Sequence, residues 1–316
     1  MSRNPIGDRK SEIGNEELAA FVALHAVESM GAASLARLVA RFGSAAAVLR
    51  AQPEELESVP KVPHLILNGI AEVARRMDRH RAVAQRLAAE GIQPLRREDP
   101  EYPTRLHALA SPPPLLYVRG RLPRDNCRTF GIVGTTQPSE RGLQVAFAIA
   151  RHLASKGWVI VSGNAQGIDA AAHRGAFEAR RATILVLPTG ILQFRPQPGY
   201  PPPELLWRRA AAVSECHPEA PWTTPAALAR NRLIAAASDA VLVVESRERG
   251  GALSTLRHAI ALGRRAFVVR FRAPALTAAG NALAEAAGAR PVRSLRDLEA
   301  ALSRPTPCRA QRHLPW

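Results

Sequence analysis

Two rhythms of hydrophobic and polar positions divide the chain. Up to about residue 90, apolar residues recur every three or four positions. Leu18, Phe21, Val22 and Leu24 open one apolar face, and Leu35, Leu38, Val39 and Phe42 form another. Gly31 and Gly43 punctuate this segment as helix ends do, and Pro53 suits a first helical turn. The pattern predicts a small bundle of four or five helices over residues 13–90. Residues 91–125 read as a proline-rich connector, in which Pro112, Pro113 and Pro114 exclude helix and "LLYVRG" reads as an edge strand. From Thr129 the rhythm changes. Short, wholly apolar runs ("FGIVG", "WVIVSG", "ATILVLP", "AVLVVE", "AFVVRF") alternate with helical stretches. Apolar runs without alternation belong to strands covered on both faces, so residues 126–292 predict a parallel sheet with helices on either side. The fold class is α/β, a Rossmann-like doubly wound sheet preceded by a small helical domain of the SAM/HhH-like kind. Residues 293–316 read as a loose tail, and no internal repeat is visible.

In such a sheet, ligands bind beyond the carboxyl ends of the strands, where loops enter helix N-termini. Four stretches fall there: "GTTQPSERG", "SGNAQGID", "LPTGILQFRPQPGYP" and "ESRERGGALST". In the second, Gly163 and Gly167 let the backbone approach a guest without Cβ clashes, and Ser162 offers a hydroxyl. Helix-start amides and the helix dipole favour an anion, such as a phosphate. Asp169 is placed to cap that helix, with His173 one turn on along the same face. One such loop reads equally well as a tight turn with a packed Asp/His pair. Four at one sheet edge point to a binding site. "ARNRLIAAAS" adds Arg230 and Arg232 around Asn231, a pair able to fork onto phosphates or to lie solvated on a helix. Neither GxGxxG nor GxxxxGK[ST] occurs, which argues against an NAD enzyme or a P-loop ATPase.

Charge sharpens the choice of guest. Lys and Arg number 43 against 27 Asp and Glu, giving +16. Nearly all the cations are Arg in an alanine-rich chain, which genomic bias explains, but bias does not explain the excess over acids. A polyanion partner is favoured. Cys127, Cys216 and Cys308 are far apart with no CxxC pair, against a disulfide framework or zinc site and in keeping with a reducing compartment. No signal-length apolar core or membrane span is apparent, so a cytoplasmic protein without membrane association is expected.

Taken together, these stretches resemble the DNA-processing protein A (DprA, or Smf) family from the helical domain to about residue 292. The family pattern "YP..L..L..PP.LLYVRG" is matched by Tyr102, Pro103, Leu106, Leu109 and "PPLLYVRG". Its "VG.R..T.YG", "SG.A.GID..AH", "RNRIIA..S", "V.VVEA...SG...TA..A...GR" and "G.N.LI..GA" are matched in order by "VGTTQPSERG", "SGNAQGIDAAAH", "RNRLIAAAS", "VLVVESRERGGALSTLRHAIALGR" and "GNALAEAAGA". The resemblance implies a non-enzymatic homodimer that binds single-stranded DNA, protects incoming strands and loads RecA in natural transformation, without metal or cofactor. Carried over by motif position, it implies a DNA site including Gly134, Ser139, Ser162, Gly163, Gly167 and Asp169. His173, Arg230, Asn231 and Arg232 complete the carried-over set. Thr135, Thr136, Arg141 and Arg195 join it as neighbours in the first and third loops.

The departures are specific. Thr136 stands where the family carries Arg, and Gln166 where a basic residue is usual. The Phe-Pro before "RNR" is missing, as is the "PG" after the sixth strand, which reads "VRFRA" here. Arg195 replaces a usual Tyr, and the C-terminal winged-helix domain of many members is expected to be absent. Arg141, Arg195, Arg247 and Arg249 are the candidates to restore the lost charge. Two further readings stay open: a nucleotide-ligand enzyme or sensor using Glu245 and Asp169 as acid and base, and a divergent member serving a defence system.

Overall fold

Six helices precede the first strand in the computed structural model, which describes residues 14–273 and 275–303. They are α1 (Asn15–His25), α2 (Ala32–Phe42), α3 (Ala45–Arg50), α4 (Pro53–Glu57), α5 (His64–Ala74) and α6 (Met77–Ala89). The extra member over the expected four or five comes from α3 and α4, too short to show a helical period. Their ends are set by local chemistry. Gly43 closes α2 at φ +82°, where a Cβ is disfavoured. Ser44 Oγ accepts Ala47 N–H to cap α3, and the Glu17 carboxylate of α1 accepts Ala45 and Ala46 N–H at 2.7 and 2.9 Å.

The sheet has nine strands in the order β1-β2-β6-β5-β4-β3-β7-β8-β9. The seven parallel strands are β3 (Thr129–Val133), β4 (Val159–Ser162), β5 (Thr183–Val186), β6 (Ala210–Ser214), β7 (Ala240–Val243), β8 (Arg265–Val269) and β9 (Arg290–Val292). Helices α7 (Glu140–Ser155), α8 (Ile168–Glu178), α9 (Pro203–Arg209), α10 (Thr224–Ala236), α11 (Gly251–Ala261) and α12 (Asn281–Ala286) connect them. One apolar cluster on the sheet is built from Val161, Val186, Val243 and Leu233, the other from Phe130, Ile132, Ile160 and Leu242. Alternate residues of single strands thus serve both clusters, as the unbroken apolar runs require. A third cluster runs from Phe21 and Leu24 through Ile66 to Tyr117, Leu185 and Ala212, so the bundle shares its core with the sheet.

Two expectations need correction. The stretch read as a connector contributes β1 (Ile92–Arg96) and β2 (Leu115–Gly120), an antiparallel pair continued by β2 on β6. Strand β2 is therefore interior and not an edge. Its Leu115, Leu116, Tyr117 and Val118 are buried, so the run is covered on both sides. The expected loose tail begins with α13 (Leu295–Ser303), which sinks Leu298 and Ala301 into the core. Residues 304–316, with Cys308, lie outside the described residues. Among the described residues no helix is long and apolar enough to cross a membrane.

Candidate nucleic-acid interface

The loops leaving β3, β4, β5, β6 and β7 meet at one sheet edge around a pocket of about 640 Å³. Those after β3, β4 and β7 are pressed together. Thr135 N–H donates to the Glu245 carbonyl at 2.7 Å and Ile168 N–H to the Thr135 carbonyl at 3.3 Å. A Cβ on Gly134 would stand 2.5 Å from Ile168 Cγ1. One on Gly163 would stand 2.3 Å from Arg230 Nη1, and one on Gly167, already at φ +76°, 2.6 Å from the Thr135 carbonyl. The glycines are bare because neighbouring protein segments fill the space beside them. The sequence reading reserved that space for a ligand.

The carboxylate of Asp169 explains the loop's shape. Its Oδ2 accepts Gly163 N–H at 3.1 Å and Ala165 N–H at 3.4 Å, and of the helix-start amides expected to face an anion, Ile168 N–H goes to the Thr135 carbonyl and Ala170 N–H to the Ala165 carbonyl. Burial pushes its pKa up, opposed by the Arg230 guanidinium and by the hydrogen bonds from the Ala165 and Gly163 amides. Arg230 is itself buried. Its Nη1 donates to the Gly163 carbonyl at 2.5 Å and to the Val186 carbonyl, pinning the second loop to the end of β5. Burial also pulls the Arg230 pKa down, while Asp169 pushes it up.

The "RNR" triplet does not act as one unit. Successive helical residues point about 100° apart, so neighbours in sequence cannot share a face. Arg230 reaches the pocket floor, and Asn231 Nδ2 donates to the Gly251 carbonyl at 3.1 Å. Arg232 turns away, donating to the Ser111 carbonyl at 3.2 Å and ion-pairing with Glu215. The pocket is lined by Gly134, Thr135, Thr136, Gly163 and Asp169, and by Arg195, Arg230 and Asn231 across from them in sequence. Ser139, Arg141, Ser162, Gly167, His173 and Arg232 lie outside that lining. Ser162 is fully enclosed and donates to the Ile132 carbonyl at 2.5 Å. His173 is equally enclosed, with Nδ1 2.7 Å from Thr183 Oγ1. That hydroxyl spends its proton on the Ile160 carbonyl, so Nδ1 carries the imidazole hydrogen. Burial and the Arg230 charge hold the His173 pKa down at about 3, hence neutral at ordinary pH. Arg141 lies over the Phe271 ring, 5.9 Å from its centroid.

Ser139 and Glu245 form a clasp behind the pocket. Ser139 N–H donates to Glu245 Oε2 at 2.9 Å, its hydroxyl to Oε1, and Thr277 Oγ1 to Oε2 at 2.8 Å. Ser139 also caps α7 by accepting Gly142 N–H at 3.0 Å. The clasp ties the loops after β3 and β7 together and leaves Glu245 only 1% exposed.

The family profile of DNA recombination-mediator protein A matches residues 93–303. The chain belongs to the DNA recombination-mediator protein A family. It is 32% identical over 263 residues to Protein Smf of a Synechocystis species, covering 81% of this chain and 65% of that protein. It is 33% identical over 184 residues to DNA processing protein DprA of Bacillus subtilis, covering 57% of this chain and 61% of that one. The chain thus spans somewhat under two thirds of the length of these relatives. The solved Streptococcus pneumoniae DprA superposes with a TM-score of 0.72 at 23% identity, covering 91% of this chain and 98% of that one. That likeness shows the fold. The DprA of Helicobacter pylori, described for its single-stranded DNA binding mode, gives a TM-score of 0.56 at 27% identity over 67% of this chain and 95% of that one.

In this member of the mediator A family the pocket mouth departs from its sequence pattern where charge matters. Thr136 is exposed there, in place of the arginine of the pattern. Of the four arginines considered as replacements, Arg195 and Arg247 are exposed on the lining, whereas Arg141 and Arg249 are not on it. Sequence reasoning missed Thr189, Gln197 and Trp222, which are also among the lining residues. Trp222 had a signal that went unread, a large aromatic between Pro221 and a Thr-Thr-Pro helix start.

Proposed function

We propose that this chain binds single-stranded DNA along the rim of the pocket and acts as a recombination mediator. It shields incoming strands and hands them to RecA in natural transformation, as a cytoplasmic homodimer. The observation that carries the reading is the placement of Arg195 and Arg247. Both are exposed on the lining of one pocket at the carboxyl ends of the strands, in a chain of net charge +16. Guanidinium groups over a row of loops suit a sugar-phosphate backbone, whose contacts are electrostatic and tolerant of sequence. The relative described for single-stranded DNA binding supports the same reading.

The nucleotide-enzyme alternative draws no support from the geometry. Glu245 is enclosed by Ser139 and Thr277 and lies off the pocket lining, so it does not meet a guest together with Asp169 as an acid–base pair. A gel-shift series with single- and double-stranded oligonucleotides tests the proposal, with a nucleotide panel assayed for ribose release alongside. Preferential retention of the single strand and no ribose release are expected. Release of ribose, or no shift of the single strand, overturns it. RecA retained on the immobilised protein, and a dimer mass in solution, are expected for the finer claims.

A further inference from the structure

The pocket has an apolar lip as well as a charged one. Trp222 lines it while remaining 60% exposed, and Leu228, one turn into α10, is 47% exposed. Among the described residues Trp222 is the one aromatic among the exposed large hydrophobic side chains, and no ring or guanidinium packs against it. Phe194, the other aromatic of the lining, is buried against Trp207 with ring centroids 5.1 Å apart. Indoles are usually mostly covered, so one left open beside a binding pocket asks for a partner.

The backbone on both sides of Trp222 is fixed. Gly190 N–H donates to the Ala220 carbonyl at 2.9 Å and Leu192 N–H to the Pro218 carbonyl at 3.0 Å. Thr223 is the extended N-cap of α10, its Oγ1 accepting Ala226 N–H at 3.2 Å, and Pro225 occupies the first helical turn. Pro221 restricts the remaining link. The ring is thus held out on a rigid stub, and little backbone freedom remains to be lost when something stacks on it.

Resting on the single-strand reading above, we infer that Trp222 is a stacking platform for a nucleobase, flanked by Leu228, while Arg195 and Arg247 take the neighbouring phosphates. Every base presents a π-face, so the platform adds affinity without selecting sequence. It gives the pocket an apolar seat for the base beside charged seats for the backbone.

The test compares wild type, Trp222→Ala and Trp222→Phe by fluorescence anisotropy on labelled dT oligonucleotides and on abasic strands of equal length. The alanine variant is expected to bind dT about tenfold more weakly, with the phenylalanine variant recovering most of the loss. The salt slope stays unchanged, because no phosphate contact has gone. On abasic strands wild type and Trp222→Ala converge. Equal dT affinity of wild type and Trp222→Ala overturns the platform and leaves the single-strand reading standing. Absence of dT binding by the wild type overturns both.

Discussion

The floor and the mouth of the pocket are built on opposite plans. On and behind the floor, polar groups are closed on one another: Asp169 on loop amides, Arg230 on two carbonyls, Glu245 on Ser139 and Thr277. At the mouth, Arg195, Arg247, Thr136 and Trp222 are exposed, and the Arg195 guanidinium donates locally, to the Phe194 carbonyl at 2.9 Å. Buried polar groups cost several kcal/mol when unpaired, whereas exposed ones cost little. The floor therefore sets stability and loop geometry, and the mouth holds the exposed groups that the proposed binding uses.

The sharpest way to break this comparison is at Arg230. Arg230→Met strands the Gly163 and Val186 carbonyls and leaves Asp169 without its facing cation, so a loss of about 3 kcal/mol is expected by denaturant titration. Adding Asp169→Asn restores part of that loss, because the uncompensated charge goes. A double variant as unstable as the sum of the two singles would refute the coupling. Next in size, Glu245→Gln puts an amide donor against the donors of Ser139 and Thr277 and is expected to cost about 2 kcal/mol.

Acid sensitivity sharpens the same contrast. His25 and His173 are both held at about 3 by burial, below the ordinary 6.5. The unfolded chain takes up those protons first, so their contribution is complete above pH 6.5 and is lost progressively as pH falls toward 3. Each contributes a slope of at most about 1.4 kcal/mol per pH unit in that window. Burial raises Asp169 and Glu215, which act in the opposite sense. The comparison is therefore wild type against His173→Leu, whose stability should fall less steeply between pH 6.5 and 4. The smallest stability effect is expected at the mouth, where Arg195→Ala with Arg247→Ala changes unfolding free energy by no more than about 0.5 kcal/mol.

The sheet was readable where composition and burial agree. Strands β3, β4, β5, β7 and β8 each carry three or more consecutive apolar residues, such as Val159–Val161 and Phe267–Val269, because both faces are covered. Strand β1 escaped because "IQPLR" carries a proline, a glutamine and an arginine, and becomes a strand only by pairing with β2. Helix α13 escaped because Leu298 and Ala301 alone are buried in nine residues. Within the candidate site, motif density picked out loops that line one pocket at one sheet edge, but not each residue's duty. Gly163, Gly167, Ser162 and His173 serve packing and loop shape, and the triplet Arg230, Asn231 and Arg232 splits because helical neighbours diverge. Trp222 belongs to no periodic element, and its one signal is its place between Pro221 and the Thr-Thr-Pro helix start.

The salt dependence of single-strand affinity is the most direct measure of whether the mouth grips phosphates. With labelled dT titrated across salt, log affinity of the wild type is expected to fall linearly and steeply with log salt, and Arg195→Ala with Arg247→Ala to lower the slope by about 1.4, since each lost phosphate contact contributes about 0.7. A wild-type affinity indifferent to salt, or a double variant with an unaltered slope, would contradict the account.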